Sequence, residues 1–403
     1  MSAQDRHTWR WLLHPYKIDV YLRTYFEQRP LHIHRANSEH YGELLTVVQL
    51  GNLIASGLFR HPSIRLVRDE VPLPPQSYIR EISAPGGARV AAIDPQRVMS
   101  AYRDGCTVVC PAINRYWRPL ALLCRGLEAE SGYDVQANAY LTPPASVGFA
   151  PHWDSHDVLV VQLQGAKRWF VFDRPQRRLP LDDEVCRSAE TTGEFTEIGL
   201  DQGDLLYVPR GHVHQAASLD SESLHVSITV KPPSWYDVLR TALDERVRSD
   251  PSLRAAAPFG YLNDQILEDG DAAAPTAAGL DLTNALRATA DRFVLGRLTY
   301  PSGLFDLADR HVAGPLRPRP DLIFRVSEVG ERVKLLFPGG GTLEFPAAFA
   351  TALRYVAAAK HVTIDSVAAF LPPPEAEHLL AELVDHGLLV PVTGSEELGR
   401  VPP

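Results

Sequence analysis

Cysteine is scarce in this chain: there are four in 403 residues, Cys106, Cys110, Cys124 and Cys186, and their spacing is irregular. A disulfide framework is therefore not expected, and reduced thiols in a cytoplasmic protein are. Cys106 and Cys110 have no second Cys or His pair at matching spacing, so packing rather than zinc ligation is expected of them. Long apolar runs are also missing, which leaves no expectation of a membrane-spanning helix. The first eleven residues, Met1 to Trp11, lack the apolar core of a secretory signal. Nor is there an excess of positive charge: 40 Lys and Arg face 49 Asp and Glu, a formal net charge of −9. Such a balance does not hold nucleic acid by bulk electrostatics, and it favours basic partners, basic peptides and proteins among them. No internal repeat is visible. What remains is 45% hydrophobic and 22% charged, the composition of a globular protein long enough for two or three cores.

The first hundred residues read as a mixed α/β lead-in. Helices are expected over Tyr16 to Gln28, Leu44 to Ile54, Asp94 to Tyr102 and Arg115 to Glu130, the last stopped by Ser131-Gly132. Pro30 to His34 and Cys106 to Cys110 read as strands. From Val135 the pattern changes to short strands between turn residues: Gln136 to Thr142, Asp157 to Leu163, Lys167 to Phe172, Leu205 to Val208 and Ser223 to Val230. Gln164-Gly-Ala166 reads as a hairpin turn and Asp201 to Asp204 as a further turn, and regularly spaced short strands with turns between them suggest a barrel or jelly roll. After Pro232-Pro233 helices are expected over Trp235 to Val247 and Leu282 to Leu295, joined by an Ala-, Gly- and Asp-rich connection around Glu268 to Gly279. Beyond about Arg319, strands at Leu322 to Ser327 and Val333 to Phe337 precede a helix from Phe349 to Ala358. A short helix at Thr363-Ile-Asp365, a second from Pro374 to His386 and an apolar strand opened by Gly387 then outline a winged helix. Its second helix is acidic, so a protein contact is expected there and direct DNA binding is not.

The residues that carry chemistry lie in the strand-rich part. His152 and Asp154 stand two apart in Pro151-His-Trp-Asp154, and residues two apart in a strand share a face and can grip one ion. A second histidine follows about sixty residues later, after a Gly-Asp turn, a strand and a Pro-Arg-Gly break. Two imidazoles and one carboxylate on one face of a metal are the facial triad of non-haem Fe(II) oxygenases. His214 is favoured over His212 as ligand, because Pro209-Arg-Gly211 places His212 before the strand begins, as a supporting or solvent-side residue. His156 reads as a rim or substrate contact.

Pro151-His-Trp-Asp154, Gln162-Leu-Gln-Gly-Ala-Lys-Arg-Trp169 and the run from Gly203 to Gln215 resemble the JmjC-type ribosomal oxygenases, protein hydroxylases of the cupin superfamily. The resemblance implies a mixed α+β protein with a double-stranded β-helix, a helical dimerisation segment and a C-terminal winged helix. The corresponding boundaries are 1–134 for the lead-in, 135–233 for the catalytic core, 234–318 for the dimerisation segment and 319–403 for the winged helix. It also implies that His152, Asp154 and His214 bind Fe(II), with 2-oxoglutarate as co-substrate and O2 as oxidant. Lys167 stands where the family places a cation for the far carboxylate of 2-oxoglutarate; Arg168 points to the opposite face. Asn138 and Thr229 match polar positions of the family's co-substrate pocket, and Tyr140 shares a face with Asn138. His225 and Ser227 are expected to pack and hydrogen-bond in the core, and Trp153, Trp169 and Tyr207 are candidates for the substrate wall.

The activity so implied is hydroxylation of an unactivated C–H bond in a protein side chain, coupled to conversion of 2-oxoglutarate and O2 to succinate and CO2. A ribosomal protein is the expected target, in a homodimeric cytoplasmic enzyme, and the acidic balance suits a basic partner. The alternatives are the same chemistry on a biosynthetic peptide or small metabolite, a non-catalytic cupin-like sensor, and a metal-dependent cupin isomerase or dioxygenase that needs no 2-oxoglutarate. The last has no use for a cation at Lys167.

Overall fold

The computed structural model describes residues 6–57, 59–83, 86–146, 149–186, 189, 191–256, 279–298, 314–319 and 322–392. The chain divides into two compact units, 1–231 and 232–403.

The first unit is built on two facing antiparallel sheets. Thirteen strands are described: β1 Leu31–Ile33, β2 Arg65–Arg68, β3 Val71–Pro72, β4 Ile79–Ser83, β5 Arg89–Ile93, β6 Thr107–Cys110, β7 Asp134–Thr142, β8 Asp157–Gln164, β9 Lys167–Pro175, β10 Phe195–Leu200, β11 Leu205–Val208, β12 His212–Ser218 and β13 Ser223–Lys231. Eight of them form one sheet in the order β1-β11-β8-β13-β7-β6-β2-β3, and β10-β9-β12 form the other. The two-residue alternation decides what each face of the large sheet meets. Ala137, Ala139, Leu159, Val161, Val226 and Ile228 point outward into the main core with the N-terminal helices. Val158, Val160, Leu206 and Val208 point inward and pack on Trp169, Val171, Ile198 and Leu200 of the smaller sheet. With both faces covered, β8 is buried from Asp157 to Leu163, which explains the apolar run from Val158 to Val161.

The helices follow their end signals. Trp9–Leu12 (α1), Ile18–Thr24 (α2), Val47–Ala55 (α3), Pro95–Arg103 (α4) and Arg118–Ser131 (α5) precede β7. α2 is shorter than its apolar pattern, while α3 starts at the capping box of Thr46 and Gln49 and α4 at Asp94, whose carboxylate accepts from the Gln96 and Arg97 N–H groups. α5 buries Leu120, Leu123, Cys124 and Leu127, one stripe at helical spacing, and stops at Gly132 in the left-handed region.

Gln164-Gly-Ala166 is not a hairpin turn. β8 bonds to β11 and β13, whereas β9 bonds to β10 and β12, so the turn carries the chain from one sheet to the other. Gly165, at φ +64°, is required there, since a Cβ would lie 2.0 Å from the Glu222 carbonyl oxygen. Local patterning cannot tell a hairpin from such a crossing, because both need two strands and a tight turn. The segments of β2 to β5 and β10 lack a long alternating run, so no strand is expected there, whereas β12 is the strand expected to carry His214 and it begins already at His212.

In the second unit, Trp235–Ser249 (α6) and Leu282–Leu295 (α7) pack on each other through Val238, Ala242 and Ala285. The connection around Glu268 lies outside the described residues. Arg325–Val329 (β15), Arg332–Phe337 (β16) and Gly341–Pro346 (β17) form a three-stranded antiparallel sheet, and Leu316–Pro318 (β14) pairs with Leu389–Pro391 (β18). Ala350–Ala358 (α8), Ile364–Val367 (α9) and Pro373–Asp385 (α10) share a core that includes Leu353, Val367, Leu379 and Leu383. Among the described residues no helix is long and apolar enough to cross a membrane.

Candidate metal centre and its cavity

His152 and His214 face each other across one isolated antiparallel bridge. The His214 N–H donates to the His152 carbonyl at 2.8 Å, and the His152 N–H to the His214 carbonyl at 3.1 Å. Two residues on, the Asp154 carbonyl accepts from the Gly211 N–H at 2.9 Å. Gly211, at φ +84°, cannot carry a side chain, because a Cβ would lie 1.7 Å from the Arg177 carbonyl oxygen. The Pro-Arg-Gly break is thus the piece that docks one half of the site on the other. One ligand atom from each of His152, Asp154 and His214 lies within 4.8 Å of the others, and His214 Nε2 is 3.5 Å from Asp154 Oδ2.

The donor set suits a divalent metal. His152 Nδ1 lies 2.8 Å from the Ala150 carbonyl and His214 Nδ1 3.0 Å from the His212 carbonyl, so each ring places its proton on Nδ1 and turns a lone pair on Nε2 inward. Burial pushes the His214 imidazolium down to about 4, helped by His152 and opposed by Asp154. Burial thus favours the neutral ring, the form in which an imidazole ligates a metal. Burial alone would raise the Asp154 carboxyl, but the neighbouring His214, His156 and His152 rings outweigh it and hold it below its usual range.

These side chains border a cavity of about 480 Å³ between the two sheets. Lys167 also borders it. Its side chain is only 3% exposed, no carboxylate of the described residues lies within ion-pair distance, and burial pushes its ammonium down to about 7. A buried cation without an anion is costly unless a ligand supplies one. Arg168 points away and pairs with Glu197 on the surface. Asn138 and Thr229 line the cavity and are joined, Asn138 Nδ2 donating to Thr229 Oγ1 at 3.3 Å, while Asn138 Oδ1 accepts from the Ala112 N–H. Tyr140 stacks flat on His225 at 4.7 Å, and Trp169 meets His225 edge-on at 5.6 Å. Burial pushes the Tyr140 phenol up to about 12, the Asp154 charge adding to the effect.

Some expectations need correction. His225 and Ser227 line the cavity rather than packing in the core. The alternation of β13 pointed to this, since both share a face with Thr229. Burial keeps His225 well below its ordinary value, and Lys167 adds to the effect. His212 is not solvent-side: it is 2% exposed, and a register shift between His212 and His214 takes it out of the metal-facing row. Tyr207 belongs to the core, donating to Asp157 at 2.6 Å, and Trp153 does not border the main cavity, whereas Trp169 does. His156 borders it, as placed. Arg65 of β2 and Phe149 border it too, and sequence reading missed both. Nothing local marked Arg65, which reaches the site because β2 joins the large sheet through β6.

Comparison with known proteins agrees with this geometry. Residues 116–238 match the JmjC domain family. It is similar to ribosomal oxygenase 1 of Danio rerio, at 31% identity over 284 residues, which cover 65% of this chain and 48% of that protein. It is likewise 29% identical over 273 residues to the bifunctional lysine-specific demethylase and histidyl-hydroxylase NO66 of Drosophila melanogaster, covering 64% of this chain and 39% of that one. The chain thus spans less than half the length of these curated relatives. Among solved structures, ycfD of E. coli superposes with a TM-score of 0.52 at 17% identity, covering 93% of this chain and 98% of the other. The structure of YcfD, a ribosomal oxygenase from Escherichia coli, in complex with cobalt and 2-oxoglutarate gives 0.50 at 16% identity over the same shares. These likenesses show the fold: a JmjC-type cupin of mixed α and β content.

Proposed function

We propose that this chain is an Fe(II)- and 2-oxoglutarate-dependent oxygenase that hydroxylates a side chain of a protein, in the first place a ribosomal protein. The observation that carries the reading is a pair: two imidazoles and a carboxylate converge with their lone pairs free, and a buried lysine without an anion borders the same cavity. His152, Asp154 and His214 are the proposed ligands. When bound, the iron would activate O2, so that one oxygen atom ends in succinate as 2-oxoglutarate loses CO2 and the other enters the C–H bond. The chain's own residues do the rest. Lys167 holds the far carboxylate in a charge-assisted hydrogen bond, and the bound anion in turn favours the charged ammonium that burial disfavours. Asn138, Thr229 and Tyr140 orient the co-substrate from the walls, and the covered sheet faces exclude water. A site that needs no 2-oxoglutarate would leave Lys167 an uncompensated burial.

The test is succinate release from the iron-loaded chain with 2-oxoglutarate and O2, with and without ribosomal proteins. A target protein should gain the mass of one oxygen. Absence of succinate with every ribosomal protein and peptide supplied would sink the reading in favour of a sensor. The acidic balance of the chain, −9 overall, supports a basic target of this kind.

The remaining organisation is part of the same proposal: a lead-in over 1–134, the catalytic core over 135–233, a dimerisation segment over 234–318 and a winged helix over 319–403. For the dimer the support is an apolar stripe on α6, where Trp235, Leu239 and Leu243 are exposed at helical spacing, with Leu282 and Leu286 exposed on α7. Leu239→Asp with Leu243→Asp should halve the mass seen in sedimentation; an unchanged mass would remove the dimer from the proposal. For the winged helix the support is the order α9, α10, β18 after the β15–β17 sheet. Glu375, Glu377, Glu382 and Asp385 on α10 favour a protein contact over DNA.

A further inference from the structure

A second convergence of metal-ligating side chains lies away from the oxygenase cavity. His32 of β1 and His34 just after it are two residues apart, so both imidazoles leave one face of the strand. β1 runs antiparallel beside β11, with Ile33 opposite Leu205, and this brings both rings to Asp204 at the foot of β11. His32 Nε2 and His34 Nδ1 each lie 3.1 Å from Asp204 Oδ2, and one ligand atom from each residue falls within 4.8 Å of the others. We propose that His32, His34 and Asp204 form a second site for a divalent transition-metal ion of the zinc class, on the outer edge of the large sheet.

Three features support a built site over a chance cluster. The carboxylate is wholly buried and held in place: Oδ1 accepts from the Arg35 N–H at 2.8 Å, and Oδ2 from the Asp201 N–H at 3.2 Å. It therefore reaches the ion without loss of side-chain freedom. The imidazoles are the accessible partners, with His34 68% and His32 28% exposed, so an ion and completing waters can enter. His32 also borders a surface cleft that carries Asp173 and Glu197. The ligand separations suit the ion as well, because donors bound at about 2.0–2.2 Å in a tetrahedron stand roughly 3.3 Å apart. One feature opposes it. The Arg35 guanidinium is close by, bonded to the Leu12, His14 and Gly203 carbonyls, so this site binds more weakly than a four-ligand structural zinc site.

The experiment counts metal on the full chain after chelator treatment, by equilibrium dialysis against micromolar Zn²⁺ and by the visible absorption of Co²⁺. The unaltered chain should hold two equivalents. His152→Ala with Asp154→Ala should leave one, and further replacement of the exposed His34 by Ala should leave none, with loss of the remaining Co²⁺ band. His34→Ala alone should take two equivalents to one while the circular dichroism stays unchanged. The proposal falls if His34→Ala and His32→Ala leave the stoichiometry as it was, or if the pair His152→Ala and Asp154→Ala abolishes all binding; the cluster is then a hydrogen-bonded clamp.

Discussion

Two groups of two histidines and one aspartate stand in the first unit, and they invert each other. In the cavity, the imidazoles are the fixed members: both Nδ1 atoms are tied to backbone carbonyls, and His214 is buried. Asp154 is only partly buried and has no backbone N–H on its carboxylate among the described contacts. At the sheet edge, Asp204 is the fixed member, wholly buried and bonded to two backbone N–H groups, while His32 and His34 face solvent. The difference teaches what a reaction centre requires. Neutral rings with inward lone pairs around open space can admit a co-substrate, and Lys167 in the same cavity can hold it. A roped carboxylate with exposed rings has nowhere to bind an organic acid and can only hold an ion or hold itself together.

Breaking the first group should have the largest effect. Asp154→Ala or His214→Ala should lower turnover roughly a thousandfold or more, since the reactivity belongs to the metal, while the zinc equivalent at His34 stays. Comparable turnover in either variant would dissolve the contrast between the two groups. Next comes Lys167→Ala, which removes a charge-assisted hydrogen bond worth about 1.5–3 kcal/mol and should raise the 2-oxoglutarate requirement ~10–100-fold. Steady-state kinetics at saturating iron measure this, and an unchanged requirement would mean that the acid is held elsewhere.

The pH dependence sharpens the same point. The free Lys167 ammonium is pushed down to about 7, and a bound carboxylate raises it. Above pH 7 the bound state therefore carries a proton that the free state has lost. Affinity for 2-oxoglutarate should fall as pH rises, by up to about tenfold per unit. A flat binding profile by calorimetry from pH 7 to 9 would contradict it. The smallest effect is expected at the sheet edge, without metal. Asp204→Ala strands the Arg35 and Asp201 N–H groups and should cost ~1–3 kcal/mol of stability in urea, with His34→Ala leaving the midpoint unmoved.

How far the sequence reached differs between the parts of the site. His-x-Asp, the Gly-Asp turn and the Pro-Arg-Gly break made the triad legible, because spacing of two and a glycine that must sit at positive φ are local properties. Lys167 was legible only through resemblance, since a lysine opening a strand has no local mark of burial. The crossing at Gly165 was misjudged as a hairpin for a related reason: which strands pair is a long-range decision. Arg65 left no trace at all, for it enters the cavity from a strand read as nothing in particular.

The chain's own order of residues determined the alternation of its strands, the helix ends at Thr46, Asp94 and Gly132, and the types of ligand available. Tertiary structure alone decided which of them meet. It set His152 against His214 across a bridge spanning some sixty residues, slipped His212 out of the row by a register shift, and buried Lys167 without an anion. The physical reason is that periodicity and capping act within a few residues, whereas burial, charge separation and the direction of a lone pair exist only once distant strands have paired.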